Sequence, residues 1–109
     1  GVTEIHENAK IDNHVHVAHG VIIGRNSLII AHAMLGGSAK IGEDVWIAPA
    51  TSVKNQIKIA DRTLTGIGAV ILKDTAENEV MIGNPATTMT EYKKWSEQRK
   101  KIMGDQNSQ

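Results

Sequence analysis

From Ile5 onward an aliphatic residue returns at every sixth position: Ile5, Ile11, Val17, Ile23, Ile29, Leu35, Ile41, Ile47, Val53 and Ile59. Thr65 interrupts the series, and Ile71 resumes it in the same phase. Four positions after each aliphatic stands a second column of small or β-branched residues, among them Val15, Val21, Ser27, Ala33, Ala39, Val45, Thr51 and Thr63. A period of six excludes the face of an α-helix, which repeats near 3.6, but it is a multiple of the strand period of two. A short strand of about four residues followed by a two-residue corner keeps the aliphatic pointing inward at every repeat. Three such strands close a triangular coil, and each repeat buries its apolar side chain only by stacking on its neighbours, which is the signature of a solenoid. The pattern predicts an all-β solenoid of four eighteen-residue coils, 5–22, 23–40, 41–58 and 59–76. Small or short residues after the aliphatic, such as Asp12, Ala18, Gly24, Gly36, Gly42, Ala48, Ala60 and Gly66, are expected at the corners, where a tight bend tolerates little side chain.

The hexads stop after Ala76. Residues 78–86 read as one last strand and a turn, and Thr88-Met89-Thr90-Glu91 has the form of a capping box. With Gly104 as the stop, a helix is expected over 89–103, its apolar Tyr92, Trp95, Ile102 and Met103 covering the open end of coil four. Lys93, Lys94, Arg99, Lys100 and Lys101 then form a solvated basic face. The division is a solenoid over 1–87, a helix over 88–103 and a polar tail over 104–109. Trp46 falls in the outward slot before Ile47 and reads as an interface residue. Residues 1–4 lead straight into a hexad with nothing to cap the first coil, so either this is the C-terminal piece of a longer protein or a partner covers that end.

Composition narrows the classes. At 109 residues there is room for one domain, and a formal charge of zero leaves no electrostatic footprint for nucleic acid. No Phe, one Tyr and two Trp would supply an ordinary core poorly, whereas columns of Ile, Val and Ala fill a solenoid without aromatics. Absence of Cys removes disulfides, thiolate catalysis and Cys-ligated metal, and fits a cytoplasmic protein. No apolar run approaches the length of a membrane span.

The densest chemistry lies in coil one, where His14, His16 and His19 fall within six residues. Positions eighteen apart should stack about 4.8 Å apart, which places His19 beneath Gly37 and His14 beneath His32. A reaction in which a nucleophile loses a proton while charge develops on a carbonyl oxygen needs a general base and a hydrogen-bond donor for the oxyanion. His19 and the exposed N–H of Gly37 could supply the two from one edge. Spacing alone slightly favours the plainer reading, a polar corner residue beneath a turn glycine. His14 and His32 could alternatively begin a zinc site, with His19 as a third ligand across a subunit interface.

The hexads, together with the stretch Ile11-Asp12-Asn13-His14-Val15-His16-Val17-Ala18-His19-Gly20-Val21, resemble the hexapeptide-repeat acyltransferases, and most closely the UDP-3-O-acylglucosamine N-acyltransferases and related sugar-nucleotide acyltransferases. The resemblance covers roughly residues 3–86, and the ending Ile82-Gly83-Asn84-Pro85-Ala86 is similar to the final turn of coenzyme A-dependent sugar acetyltransferases. It implies a left-handed parallel β-helix, with the C-terminal α-helix appended, that forms homotrimers with clefts between subunits. It further implies a bacterial enzyme of the kind used in lipid A biosynthesis. The reaction implied is transfer of an acyl group from acyl carrier protein or acyl-coenzyme A to an amino or hydroxyl group of a sugar nucleotide, with no bound cofactor. His19 would be the base and Gly37 the oxyanion donor, with Asn13, His16, Gly20 and Gln56 as substrate-binding neighbours. The chain departs from the family at Gly20, where Asn or Asp is usual, and at Lys54-Asn55-Gln56, where a substrate-binding His is usual, and the 109 residues enter the repeats directly, where the resemblance would place a nucleotide-recognition domain before them. These departures favour, as the alternative, a non-catalytic trimeric scaffold or binding module. A zinc lyase resembling the γ-class carbonic anhydrases, built on His14 and His32, is the third reading.

Overall fold

The computed structural model describes residues 1–107. Twelve two-residue strands follow one another at the hexad spacing: β1 (Glu4–Ile5), β2 (Lys10–Ile11), β3 (His16–Val17), β4 (Ile22–Ile23), β5 (Leu28–Ile29), β6 (Met34–Leu35), β7 (Lys40–Ile41), β8 (Trp46–Ile47), β9 (Ser52–Val53), β10 (Lys58–Ile59), β11 (Leu64–Thr65) and β12 (Val70–Ile71). Two longer strands, β13 (Val80–Gly83) and β14 (Ala86–Thr88), lead into α1 (Met89–Asn107). Among the first twelve, every third strand joins the same sheet, and β13 and β14 extend the second, giving β1-β4-β7-β10, β2-β5-β8-β11-β13-β14 and β3-β6-β9-β12. Pairing is parallel with a step of eighteen residues, as in Ile5↔Ile23 and Ile23↔Ile41. The chain is therefore the solenoid of four coils that the hexads require.

The aliphatic column forms the core. Ile23, Ile29, Leu35, Ile41, Ile47, Val53, Ile59 and Ile71 are buried, as are Val21, Ala33, Ala39, Val45 and Ala69 of the second column. Full burial of each large aliphatic contributes about 1.5–3 kcal/mol. In coil one the column is open: Ile5 and Ile11 are 53% and 36% exposed.

Two expectations about the corners are corrected. The strands are shorter than four residues, and the turn occupies the second and third positions after the aliphatic. The third position carries positive φ at corner after corner, at Asn8, His14, Gly20, Asn26, His32, Ser38, Asp44, Ala50, Gln56, Arg62 and Gly68. The small residue directly after the aliphatic is not the bend. A Cβ on Gly24 would lie 2.3 Å from the Gly42 carbonyl oxygen, and one on Gly36 2.5 Å from the Asn55 nitrogen. Those positions are small because the backbone of the next coil rests on them.

Thr65, the gap in the aliphatic column, is 5% exposed and closes a hydrogen-bonded set. Ala48 N–H donates to Thr65 Oγ1 (2.9 Å), Thr65 and Thr51 hydroxyls meet at 2.9 Å, and Thr51 donates on to Ala48 O (2.8 Å). The hydroxyl stands where the pattern elsewhere uses a carbonyl, as in Ile30 N–H to Ile47 O (2.9 Å). Replacement by the aliphatic that the hexads would place there leaves the buried Ala48 N–H without its acceptor. Thr65→Val is thus expected to destabilise the fold by about 1–3 kcal/mol, read as a lower urea midpoint. An unchanged or raised midpoint would show that the hydroxyl is dispensable.

Coil four ends by side chains and by a slip of register. Asp74 Oδ1 and Thr75 Oγ1 accept from the N–H groups of Lys58 (2.8 Å) and Ala60 (3.0 Å), covering the open edge of β10. Leu64 then pairs with Val80, sixteen residues on, instead of a residue eighteen on. β14 turns back antiparallel on β13, which adds a strand that the sequence pattern does not announce. Thr88 caps α1 by accepting from Glu91 N–H (3.1 Å), while the Glu91 carboxylate takes the Thr87 hydroxyl rather than closing the box on Thr88. The helix continues through Gly104 to Asn107 instead of stopping there. Nor does its apolar side cover coil four: Tyr92, Trp95, Ile102 and Met103 are 42–63% exposed, and its contacts are with β13 and β14. Met81, from β13, is the side chain that closes the top of the core. The molecule measures 60 × 25 × 21 Å, so the helix extends the long axis of the solenoid.

Candidate functional site

Each coil has three corners, and the candidate residues divide among them. His19 and Gly20 form the corner after β3, Gly37 and Ser38 the corner above it, and Asn55 and Gln56 the next. Backbone bonds lock the three layers: Ser38 N–H donates to His19 O (3.1 Å) and Gln56 N–H to Gly37 O (2.9 Å). Below, Gly20 N–H donates to Thr3 Oγ1 (3.0 Å), a support with no signal in the hexad pattern. Gly20 sits at φ +73°, and a Cβ there would meet Ser38 Oγ at 3.1 Å. The unusual glycine is thereby matched to the serine above it.

Gly37 stands directly over the His19 ring. A Cβ on it would lie 3.6 Å from His19 Cε1 and 4.0 Å from Nδ1, an ordinary contact distance. Neither φ nor crowding therefore demands glycine at 37, in contrast to Gly36 beside it. What the missing side chain leaves is room above an exposed imidazole. Among the described residues, Gly37 N–H has no acceptor within the chain. A base and an unpaired backbone donor thus occupy successive layers of one edge.

His16 points outward from β3, on the strand face leading to that corner, in register with Met34 above it. Asn13 is not with them. It lies on the preceding corner, its N–H held by the Asp12 carboxylate at 2.7 Å, beside His14. His14 and His32 stack there with ring centroids 5.1 Å apart and planes 6° from parallel, both residues at positive φ. His19, expected as a third zinc ligand across a subunit interface, lies on a different corner of the same chain. Among the described residues no group of three His, Cys, Asp or Glu side chains is placed to hold a metal ion. Gln56 shares the His19 corner, two layers above Gly20.

A cavity of about 460 Å³ lies elsewhere, between the end of β12 and the start of the helix, lined by Leu72, Lys73, Asp74, Pro85 and Glu91 among others. Neither His19 nor Gly37 lines it. In the single chain the His19 edge is an open surface. No helix among the described residues is long and apolar enough to cross a membrane.

Known proteins share this arrangement of coils. Residues 3–37 match the family described as bacterial transferase hexapeptide (six repeats). The chain is 36% identical over 95 residues to the UDP-3-O-acylglucosamine N-acyltransferase of Caulobacter sp. (strain K31), covering 87% of this chain and 27% of that protein. It is 31% identical over 86 residues to the acyl-[acyl-carrier-protein]–UDP-N-acetylglucosamine O-acyltransferase of Thiobacillus denitrificans, covering 79% and 33%. Among solved structures it is similar to soybean serine acetyltransferase complexed with serine, with a TM-score of 0.76 and 30% identity over 81% of this chain and 40% of that one. The chain spans less than half the length of each of these proteins.

Proposed function

Because this chain belongs to the hexapeptide-repeat family, we propose that it is the catalytic β-helix of a thioester-dependent acyltransferase, with a sugar nucleotide as acceptor. The observation that carries this reading is the unforced glycine above the histidine, which leaves space at the imidazole and an unpaired N–H one layer up. The names of the two curated relatives support a UDP-sugar acceptor, and one of them supports acyl carrier protein as donor.

In the proposed reaction the His19 imidazole takes the proton from the acceptor's amino or hydroxyl group as its nitrogen or oxygen bonds to the thioester carbonyl carbon. The carbonyl electrons move onto oxygen, and Gly37 N–H donates to the resulting oxyanion. Collapse reforms the carbonyl and breaks the carbon–sulfur bond, and the departing thiolate takes the proton back from the imidazolium. The chain works as a left-handed, cytoplasmic homotrimer, and the open His19 edge becomes a cleft where a neighbouring copy faces it. Gln56, on the same corner, and His16, on the adjacent strand, contact substrate from this copy. Asn13, one corner away, reaches a cleft only as the contribution of this copy to a different edge.

The test is thiol release from acyl-carrier-protein and acyl-coenzyme A thioesters of several chain lengths, mixed with UDP-aminosugars. The chain has no cysteine, so a thiol reagent reports only the liberated carrier thiol. Release that depends on acceptor identifies donor and acceptor together. No acceptor-dependent release across the panel would leave the second reading, a non-catalytic scaffold, which the Gly20–Ser38 match in place of the usual Asn or Asp favours.

A further inference from the structure

The corner that carries His19 is held from below by one side chain. In the layers above, the N–H groups of Ser38 and Gln56 each find a carbonyl of the layer beneath, His19 O at 3.1 Å and Gly37 O at 2.9 Å. Gly20 N–H, in the same place one layer down, donates to the hydroxyl of Thr3 at 3.0 Å instead. That hydroxyl in turn donates to Ala18 O at 3.4 Å. The second contact is long for an O–H donor, so the firmer hold is on Gly20. Ser27 and Thr51 make the same fifteen-residue reach, to Gly42 O (2.7 Å) and Gly66 O (3.3 Å). Ser27 then accepts from Val45 N–H (3.0 Å), beyond its corner, whereas Thr3 accepts from within the corner it supports.

The two groups that Thr3 binds belong to the peptide units on either side of His19. Ala18 O lies in peptide 18–19, whose rotation is the φ of His19, and Gly20 N–H lies in peptide 19–20, whose rotation is its ψ. Holding both units against one oxygen sets the direction in which the Cα–Cβ bond of His19 leaves the corner. The other groups of the corner are anchored upward, with Ala18 N–H on Leu35 O (3.1 Å) and His19 O bound by Ser38 N–H (3.1 Å). Without the Thr3 hydroxyl the corner is held from one side only. Packing does little to compensate, because His19 is exposed and Gly20, at φ +73°, has no side chain to restrict its own rotation.

We propose that Thr3 is a positioning residue, which acts on the reaction through His19 and touches no substrate. The inference rests on the general-base role of His19 in the preceding subsection. A base must lie about 2.6–3.2 Å from the atom whose proton it takes, while the oxyanion donor, Gly37 N–H, stays fixed one layer up. A misplacement of about 1 Å between the two costs on the order of 10²-fold in rate.

Steady-state thiol release tests this with Thr3→Val, which keeps the side-chain shape and removes the hydroxyl, and Thr3→Ser, which keeps the hydroxyl. The expected result is a kcat about 10- to 100-fold lower in Thr3→Val at an unchanged acceptor KM, restored in Thr3→Ser. In a His19→Ala background the same change should cost nothing further, since it acts only through the imidazole. Amide exchange of Gly20 gives a reading independent of turnover: slowed in the wild type and Thr3→Ser, fast in Thr3→Val. Thr3→Ala takes the place of Thr3→Val should the latter lose its strand signal in circular dichroism. A Thr3→Val rate equal to the wild type, a loss that multiplies with that of His19→Ala, or equal Gly20 exchange in all three proteins overturns the role of Thr3 while the base stands. A wild type that releases no thiol, or whose His19→Ala variant releases it equally, overturns the general-base reading and this role with it.

Discussion

Replacing His19 by Ala is expected to lower acceptor-dependent thiol release by about 10²- to 10⁴-fold, the range that a positioned general base supplies. The same change should shift the unfolding free energy by no more than about 0.5 kcal/mol, as exposed substitutions do when no structural feature is removed. The two expectations separate because His19 holds the corner with its carbonyl and not with its ring. Ser38 N–H binds His19 O, and that bond survives the loss of the imidazole. The measurement is steady-state release at saturating acceptor, paired with a thermal melt. Equal rates in mutant and wild type would remove His19 from the chemistry. A parallel loss of rate and stability would instead make it a structural residue.

The adjacent glycines should respond in opposite ways. At Gly36 an added methyl meets the Asn55 backbone nitrogen at 2.5 Å and Val53 O at 2.9 Å, and neither can move without shifting a whole coil. Gly36→Ala is expected to cost about 1–3 kcal/mol as overpacking. At Gly37 the nearest atoms are the imidazole and the His19 carbonyl, at 3.6 Å and beyond. Gly37→Ala should therefore melt with the wild type, yet place a methyl where the reacting carbonyl must approach. Displacing that approach by about 1 Å costs on the order of 10²-fold in rate. Melts and rates of the two variants decide it: a stable and fully active Gly37→Ala would show that the space above His19 is incidental.

Which parts of this were legible in the sequence follows from what the hexad encodes. Side-chain direction repeats every two residues, so the aliphatic columns gave the buried face and the eighteen-residue step directly, and the stacking of His14 under His32 followed from it. The corners were harder. A glycine signals either a bend or a close approach, and Gly24 and Gly36 belong to the second case. The true bend was marked by residues tolerant of positive φ, such as Asn8, Asn26, Asp44 and Asn78, which were the better cue. Asn13 and His19 are near in sequence, yet six residues carry the chain from one corner of the triangle to the next. The resemblance grouped Asn13 with His19, and within one copy the fold places the two on different corners. The slip at Val80, the strand β14 and the bare side of α1 depend on how Asp74 and Thr75 fold back over coil four, which no period records.

The reversed strand has a further consequence. A parallel solenoid whose last coil ended flat would offer its upper rim as a template, and one molecule could add to the next without limit, as in a cross-β fibre. Here the upper edge of the six-stranded sheet is β14, running against the direction of every strand beneath it and leading into a helix. An incoming coil would find the wrong hydrogen-bond spacing and an obstructing rod. The hairpin thus acts as a terminator of polymerisation at that rim, a protection that no individual hexad can provide.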